Sequence, residues 1–377
     1  MPNDFILDAQ FMARALQLAR KGWYTTKPNP RVGCVLVKDG RIIGEGWHQR
    51  AGQSHAEVEA LNNTTENPAG ATAYVTLEPC SHHDKTPPCC EAIIKTGIKR
   101  VVAAMQDPNP LVSGNGFKLL MEAGIQVTTG VLEQDARELN RGFIKRMTEG
   151  KPFVRSKLAM SLDGRTAMAS GESQWITSKE SRADVQKLRA ESGAILTGIN
   201  TVLADDPSLT ARVEQDVTQP IRVVLDSKLQ MPTTAKMLSL PGRTVIIICE
   251  KANSVRSELV EERTNKLQEL KNAGAEIHFL PEHNGQIDLS SLMQFLAEQQ
   301  INDILVEAGA ILNGALLQVN LVDEWTVYVA PKVLGDNGKG LFNLPGLDHL
   351  INCKQLKIKD IRQLGQDLKL NLSPITC

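Results

Sequence analysis

Three cysteines and two histidines lie within the segment LEPCSHHDKTPPCC at positions 77–90, and His55-Ala56-Glu57 adds a histidine and an acid upstream. Zinc binds neutral imidazole nitrogen and thiolate sulfur in a tetrahedral site, and a catalytic zinc leaves its fourth position to water. One histidine and two cysteines would leave that position open. A carboxylate beside the site could then move protons. The pattern therefore favours a catalytic zinc site.

The order of these residues narrows the chemistry. His-x-Glu followed by Pro-Cys and a second Cys is typical of zinc nucleobase deaminases, in which the glutamate is not a ligand but transfers protons. The zinc activates water for attack on a ring carbon that bears an amine. Eight residues separate Cys80 from Cys89, where the general signature has two. The order and composition match the signature, and the spacing departs from it.

A structural zinc knuckle is the alternative, with Cys80, Cys89, Cys90 and a histidine as ligands. Adjacent cysteines rarely bind one tetrahedral ion comfortably, and a structural site would leave Glu57 without a purpose. We therefore favour the catalytic interpretation.

The elements around these residues alternate between helix and strand. The first part of the chain predicts a helix at 8–22, a β-hairpin turning at Asp39-Gly40, and then alternating helices and strands, listed as helix 55–63, strand 71–78, helix 88–97, strand 99–105, helix 114–124 and strand 125–131. His55 and Cys89 would open helices, and Cys80 would follow a strand. Such alternation is typical of an α/β sheet with helices on its faces.

One further helix, around 133–147, ends before Gly150 and Pro152, which break regular structure. Because 377 residues exceed a usual single core, we expect one domain at 1–147 and a second at 152–377. The second again alternates, with strands at 152–161, 193–198, 220–227, 244–249, 275–280 and 301–309, helices at 179–191, near 255–273 and at 289–300, and a β-rich stretch from 321 onward. No G-x-G-x-x-G run occurs there, so the sequence does not support a Rossmann dinucleotide site.

Charge and composition exclude several classes. Lys and Arg number 42 and Asp and Glu 43, a balance that argues against a nucleic-acid partner. The best apolar run, VIIIC at 245–249, is far too short to span a membrane. The start MPNDFILDAQ lacks the features of a signal peptide, and seven unevenly spaced cysteines fit a reducing compartment. We expect a cytoplasmic protein.

The first half resembles a known family. His55-Ala56-Glu57 and TLEPCSHHDKTPPCC, preceded by PNPRVGCVLVKDG, resemble the deaminase domain of the bifunctional riboflavin-biosynthesis deaminase/reductases. The resemblance implies a cytidine-deaminase-like α/β domain with zinc ligands His55, Cys80 and Cys89 and with Glu57 as proton shuttle. It also implies a substrate pocket lined by Asn29, His82, His83 and Lys85. Asp84 stands where members of this family often have glycine.

The second half resembles the reductase domain of the same family in VRSKLAMSLDGRTA, SGESQWITS, LRAESGAILTGINTVLADDPSLTAR, VLDS and VEAGAILNGALL. The resemblance implies a dihydrofolate-reductase-like α/β fold and NADPH as cofactor. The residues that it assigns to NADPH are Ala159, Trp175, Thr201, Asp205, Ser227 and the turn Glu307-Ala308-Gly309. Those that it assigns to the substrate are Ser173, Arg189, Leu209 and Arg212, with Lys157 near the reacting carbon.

Together these patterns suggest a two-step enzyme of riboflavin synthesis. The first domain would deaminate a diaminopyrimidinone ribosyl phosphate, and the second would reduce its ribosyl group to ribityl with NADPH. The substrate is a small molecule, and we expect a homo-oligomer. The alternatives are a tRNA or nucleoside deaminase with an appended nucleotide-binding domain, and a non-enzymatic nucleotide-binding module that keeps zinc for stability.

Overall fold

A computed structural model describes residues 2–81, 88–110, 112–250 and 257–375, with side chains described from 6 and, after the last gap, from 261. The chain divides into two compact units, Met1–Lys151 and Pro152–Cys377. Both units alternate helices and strands, so the α/β class predicted for each half is confirmed. In the described ranges, no helix has the length and apolar character needed to cross a membrane.

The first unit is built on one mixed sheet. Its strands are β1 Gly33–Lys38, β2 Arg41–Trp47, β3 Thr72–Val75, β4 Arg100–Ala103 and β5 Gln126–Thr129. Its helices are α1 Pro2–Arg20, α2 Ala56–Asn62, α3 Cys89–Lys95, α4 Asn115–Glu122, α5 Glu133–Leu139 and α6 Arg141–Glu149. The strand order is β2-β1-β3-β4-β5. Strand β1 pairs antiparallel with β2 and β3, and β3, β4 and β5 run parallel.

Two local predictions had different outcomes. The hairpin turn is as predicted, because Asp39 and Gly40 both adopt positive φ between the paired residues Lys38 and Arg41. The single helix predicted over 133–147 is wrong, since α5 ends at Leu139 and α6 begins at Arg141. At the break, the buried Asn140 side chain accepts from the Arg31 backbone N–H at 2.8 Å and donates to its carbonyl at 2.9 Å. A tertiary contact therefore interrupts the helical periodicity.

The helices cover both faces of this sheet. Helix α1 packs its apolar stripe on one face with Val35 and Val37, and Gly33 permits the close approach, because a Cβ there would lie 2.0 Å from the Ala15 carbonyl oxygen. Helices α2, α3 and α4 bury their apolar residues on the opposite face with Cys34 and Leu36. The helices that begin near His55 and Cys89 therefore share one face of the sheet.

The second unit contains a larger sheet and two short ribbons. The strands of the large sheet are β6 Phe153–Ser161, β8 Ala194–Gly198, β9 Ile221–Leu225, β10 Thr244–Cys249, β11 Ala275–Leu280, β14 Asp303–Val306, β15 Glu324–Ala330, β17 Leu356–Leu364 and β18 Asp367–Pro374. Those of the ribbons are β7 Arg165–Ala167 with β16 Lys339–Gly340, and β12 Glu282–His283 with β13 Gln286–Ile287. The helices are α7 Lys179–Glu191, α8 Ile199–Asp205, α9 Ser257–Asn272, α10 Leu289–Glu298 and α11 Ala310–Gln318.

The strand order of the large sheet is β11-β10-β9-β8-β14-β6-β15-β18-β17. The strands from β11 to β15 run parallel, and β18 and β17 are antiparallel additions at one edge. Helices α10 and α11 pack on one face, whereas α7, α8 and α9 pack on the other. Because ligands of open parallel sheets bind beyond the carboxyl ends of the strands, the residues that follow β8, β9 and β14 are placed to form a binding crevice.

Candidate active sites

A ligand set of one imidazole and two thiols lies at the carboxyl end of β3 in the first unit. The ligand atoms of His55, Cys80 and Cys89 lie within 4.8 Å of one another. The Nδ1 atom of His55 is 3.4 Å from the Cys80 sulfur and 3.3 Å from the Cys89 sulfur. His55 precedes α2, and Cys89 is the first residue of α3. This donor set fits zinc and leaves a fourth tetrahedral position for a further ligand.

Glu57 lies beside this set without being part of it. Its side chain is only 4 % exposed. Burial, followed by the charge of Cys80, raises the pKa of its carboxyl to about 7. Carboxyl groups with a pKa near the working pH are the ones that enzymes use to accept and return protons.

The two cysteine sulfurs of this candidate site shift each other's pKa in opposite directions. Hydrogen bonding by the Cys89 side chain lowers the pKa of the Cys80 thiol to about 4, whereas the same contact with Cys80 raises the pKa of the Cys89 thiol. The Cys89 backbone N–H also donates to the Cys80 sulfur at 3.3 Å. Because zinc binds cysteine as the thiolate, metal binding at this pair would release protons.

Cys90 points away from the ligand set. Its thiol donates to the Pro79 carbonyl at 3.2 Å and lies 3.6 Å from the Gly116 carbonyl. Burial raises the pKa of this thiol to about 12. Such a thiol packs as a core group, and the structural zinc knuckle built on Cys90 gains no support from this geometry.

Asn29 reaches the site through His48, which the sequence did not single out. The Asn29 side-chain nitrogen lies 3.1 Å from His48 Nε2, and His48 Nδ1 lies 3.1 Å from the Ser54 carbonyl. The His48 ring packs edge-on against His55 with centroids 5.5 Å apart. Burial lowers the pKa of His48, so the neutral ring can donate from Nδ1 to Ser54 and accept from Asn29. The other predicted pocket residues, His82, His83 and Lys85, lie outside the described residues.

Glu78 is a second buried acid that the sequence did not single out. It is 3 % exposed, and its carboxylate accepts from the backbone N–H groups of Asp107, Gly114, Gly116 and Phe117. Its position directly before Pro79-Cys80 is the one signal in the sequence that could have drawn attention to it.

Four of the residues predicted for the second unit form a charged cluster beyond the carboxyl end of β14, beside Lys157 in the middle of β6. Arg189 on α7 and Glu307, just after β14, make a bidentate ion pair, with 2.6 Å from Nε to Oε1 and 2.8 Å from Nη2 to Oε2. Their side chains are 12 % and 11 % exposed. Burial, together with the positive charge of Arg189, lowers the pKa of Lys157, and burial followed by Arg189 lowers that of Arg212. The cluster therefore concentrates positive charge around one carboxylate.

The remaining predicted residues are spread along the crevice and its borders. Ser227 follows β9, Thr201 and Asp205 lie on α8 after β8, and Gly309 precedes α11. Ala159 is on β6, and Leu209, buried and with a positive φ, follows α8. Ser173 is half-buried, and Trp175 is exposed, with Arg182 stacked 4.6 Å from its ring centroid. In the described residues, Trp175 is not brought into contact with the charged cluster.

The turn at 307–309 has an internal support that the sequence did not predict. Asn313 is fully buried on α11, and its side-chain nitrogen donates to the Ala308 carbonyl at 2.7 Å and the Gly309 carbonyl at 3.1 Å. Ser156 Oγ donates to its side-chain oxygen at 2.6 Å. With these carbonyls engaged inside the turn, backbone N–H groups at the start of α11 can face a phosphate.

Comparisons with known proteins cover both units. Residues 6–105 match the family described as the cytidine and deoxycytidylate deaminase zinc-binding region, and residues 152–370 match the RibD C-terminal domain. Riboflavin biosynthesis protein RibD of Escherichia coli K12 is 52 % identical, with 97 % of this chain and 99 % of that protein covered. Its counterpart in Haemophilus influenzae is 48 % identical, with 97 % of each covered.

Solved structures give the same result. RibD of Acinetobacter baumannii is 47 % identical with a TM-score of 0.89, and the match covers 99 % of this chain and 100 % of that one. A Thermotoga maritima protein, described as a diaminohydroxyphosphoribosylaminopyrimidine deaminase/5-amino-6-(5-phosphoribosylamino)uracil reductase, is 34 % identical with a TM-score of 0.84 over the same shares. The similarity therefore spans both units in one order along the chain.

Proposed function

The chain belongs to the RibD family of bifunctional riboflavin-biosynthesis deaminase/reductases, and we propose that the two sites described above divide the family's two reactions between its two units. The substrates that we propose are those named for the Thermotoga maritima relative. The first unit would convert the diaminopyrimidinone ribosyl phosphate to the aminouracil. The second would reduce the ribosyl group of that product to ribityl.

In the first unit, His55, Cys80 and Cys89 hold zinc. When bound, zinc supplies the Lewis acid that activates water for attack on the ring carbon bearing the amine. Glu57 accepts a proton from that water and returns protons to the ring nitrogen and to the departing ammonia. Its buried position beside both cysteines excludes bulk water from this transfer. Asn29, held by His48, binds the pyrimidine, together with His82 and Lys85.

In the second unit, residues at the ends of β8, β9 and β14 bind NADPH, which supplies the hydride when bound. Thr201, Asp205, Ser227 and the N–H groups of the 307–309 turn form this cofactor site, with Ala159 and Trp175 beside it. Ser173, Leu209, Arg189 and Arg212 bind the substrate, and the arginine forks suit its phosphate and hydroxyl groups. The Glu307 carboxylate serves the substrate side, because Arg189 holds it there. Lys157 approaches the carbon that is reduced.

The ligand set of His55, Cys80 and Cys89 with the buried Glu57 carries this proposal, since this combination in this order is typical of zinc nucleobase deaminases. The test supplies the zinc-loaded full chain with the diaminopyrimidinone ribosyl phosphate and NADPH. Ammonia release should be followed by loss of nicotinamide absorbance, one equivalent of each per substrate. Ammonia release with no NADPH consumption would overturn the reductase assignment, and NADPH consumption that starts without ammonia release would overturn the order of steps.

We further propose that the enzyme works in the cytoplasm, where reducing conditions keep the ligand thiols available for zinc. We also propose that it forms a homo-oligomer through the β17 edge of the large sheet. Edge strand β17 exposes Ile358 and Ile361, and the segment before it exposes Leu350 and Ile351 by 88 % and 92 %. Isolated sheet edges with apolar side chains favour pairing with a second chain. Light scattering should give a multimer that Ile361→Lys weakens.

A further inference from the structure

The buried acid Glu78 makes its contacts with backbone amides at the start of α4. Its Oε1 atom accepts from Gly116 at 2.9 Å and Phe117 at 3.4 Å, and its Oε2 atom accepts from Gly114 at 3.0 Å and Asp107 at 3.1 Å. One carboxylate therefore ties the end of the β3 segment to a loop and helix start that lie 29 to 39 residues further along the chain.

The peptide that follows Glu78 carries a proposed zinc ligand and is restrained from two other directions. A Cβ at Gly116 would lie 2.2 Å from the Pro79 carbonyl oxygen, so α4 sits directly on this peptide. The Cys90 thiol donates to the same oxygen at 3.2 Å, and the Cys90 backbone N–H donates to the Cys80 carbonyl at 3.2 Å. Both α3 and α4 therefore grip the Pro79–Cys80 peptide.

A metal site depends on such outer contacts because they fix where each ligand atom lies. Cys80 is only half-buried and follows a strand that ends at Val75, so the strand itself does not hold its sulfur in place. The hydrogen bonds from backbone amides to Glu78 fix the main chain just before Cys80, and they thereby restrain the position of the Cys80 sulfur. This argument rests on the proposed ligand role of Cys80.

We propose that Glu78 is a positioning residue for the zinc site: it clamps the Pro79–Cys80 peptide against the start of α4 and thereby holds the Cys80 sulfur at the metal. It touches neither the substrate nor the metal. The clamp is formed by Glu78, Gly116 and Cys90, and weakening it loosens the zinc and slows deamination together.

The test is Glu78→Gln in the zinc-loaded full chain. Glutamine keeps the shape, but its amide nitrogen cannot accept a hydrogen bond, so one pair of amides loses its acceptor. Zinc affinity should fall about 10- to 100-fold, the usual range for outer-shell changes at metal sites, and zinc transfer to the chelator 4-(2-pyridylazo)resorcinol should become correspondingly faster. The kcat for ammonia release should fall with it. NADPH oxidation with the aminouracil supplied directly should stay unchanged, because the second unit is untouched.

Asp8→Asn is the matched control for a loss of general stability. Asp8 is a buried carboxylate of the same unit, 5 % exposed, that accepts from Tyr74 and, in bidentate fashion, from Arg100. The two carboxylates act at opposite ends of β4. The partner of Asp8, Arg100, begins this strand, whereas the Glu78 backbone N–H donates to the Met105 carbonyl, after the strand has ended. Asp8→Asn should lower the unfolding temperature of the deaminase unit and leave the zinc transfer rate near that of the wild type.

The outcomes separate this inference from the proposed function. Wild-type zinc transfer in Glu78→Gln, or equal acceleration in both variants at equal unfolding temperature, would overturn the positioning role. A wild-type protein that holds no zinc would instead overturn the proposed function. If Glu78→Gln does not fold, Gly116→Ala tests the same clamp from the α4 side, since its methyl group must displace the Pro79 carbonyl. Fast zinc loss from that variant supports the clamp, and wild-type retention contradicts it.

Discussion

Arg189 and Glu307 form a bidentate ion pair that is almost sealed from solvent, with both hydrogen bonds at 2.8 Å or less. The resemblance assigns Arg189 to the substrate and the turn containing Glu307 to NADPH. Both assignments can hold for one turn if its backbone amides serve the cofactor, since the Glu307 carboxylate is already bound to Arg189. Because the carboxylate holds the arginine fork in position, we propose that Glu307 acts on the substrate side.

We predict that Arg189→Lys weakens the reductase step chiefly through the pyrimidine substrate. Lysine keeps the charge but loses the planar fork, and a charge-assisted hydrogen bond contributes about 1.5–3 kcal/mol. The kcat/KM for the aminouracil substrate should therefore fall roughly 10- to 100-fold, while the KM for NADPH changes little. Arg243→Lys is the control, because Arg243 makes the same bidentate contact with Glu276 at an exposed site. If only the KM for NADPH rises, Glu307 would instead be assigned to the NADPH site, as the resemblance implies.

Glu57→Gln should separate metal binding from proton transfer. The variant keeps the shape of the side chain and all three proposed ligands, so zinc content measured by atomic absorption should equal that of the wild type. Ammonia release should fall by roughly 100- to 10,000-fold, the usual contribution of a general acid and base. Glu59→Gln on the same helix is the control. Ammonia release near the wild-type rate in Glu57→Gln would remove the proton shuttle from this residue.

The sequence predicted the elements better than the contacts between them. Asp39-Gly40 fixes its hairpin through local backbone preference alone, and the structure agrees. Asn140 shows the limit, because its helix break arises from a partner, Arg31, that lies 109 residues away. The roles of Glu78 and Asn313 were not predicted from the sequence for the same reason. Their roles come from bonds to backbone groups, which leave no residue-type pattern in a single sequence.

The candidate zinc site was accessible from sequence because its chemistry demands particular residue types. Sulfur and imidazole ligands, with an acid at a fixed spacing, have few other uses together. The charged cluster in the reductase unit was harder to derive, since residue types alone would make Arg189 a solvated helix residue. Its burial becomes evident only when α7 is packed against β14 and β6.

Lys157 should carry a stability cost that depends on pH. Burial lowers its folded-state pKa below the ordinary value of 10.5, so proton binding favours the unfolded chain. The cost is fully present below the folded-state pKa and is relieved as pH rises through that pKa towards 10.5. We therefore expect Lys157→Met to abolish reduction but to raise the unfolding temperature of the reductase unit near pH 7.

Calorimetry from neutral to alkaline pH checks this expectation, and the gain should shrink as pH rises. Lys271→Met, at an exposed position on α9, is the control and should show no such gain. A lower unfolding temperature for Lys157→Met at neutral pH would mean that the attraction between Lys157 and Glu307 outweighs the burial of the ammonium group.

Asn313 should control the affinity for NADPH through the shape of the 307–309 turn. In Asn313→Ala, the Ala308 and Gly309 carbonyls and the Ser156 hydroxyl lose their buried partner, which costs about 1–3 kcal/mol. The turn can recover these bonds only by rotating peptides whose N–H groups would otherwise face the phosphate. NADPH binding, followed by nicotinamide fluorescence, should weaken roughly tenfold, with the KM for the aminouracil substrate little changed.

The control for Asn313→Ala is Asp288→Ala, which removes the N-cap bond to Ser291 at the start of α10 and costs a similar amount, about 1 kcal/mol. If both variants weaken NADPH binding equally, the effect reflects general loosening of the unit. Asn313→Ala should weaken NADPH binding more than Asp288→Ala only if the Asn313 side chain fixes the conformation of the 307–309 turn. Its two short bonds to the turn carbonyls, and the Ser156 bond that orients its amide, make that selective effect the expected result.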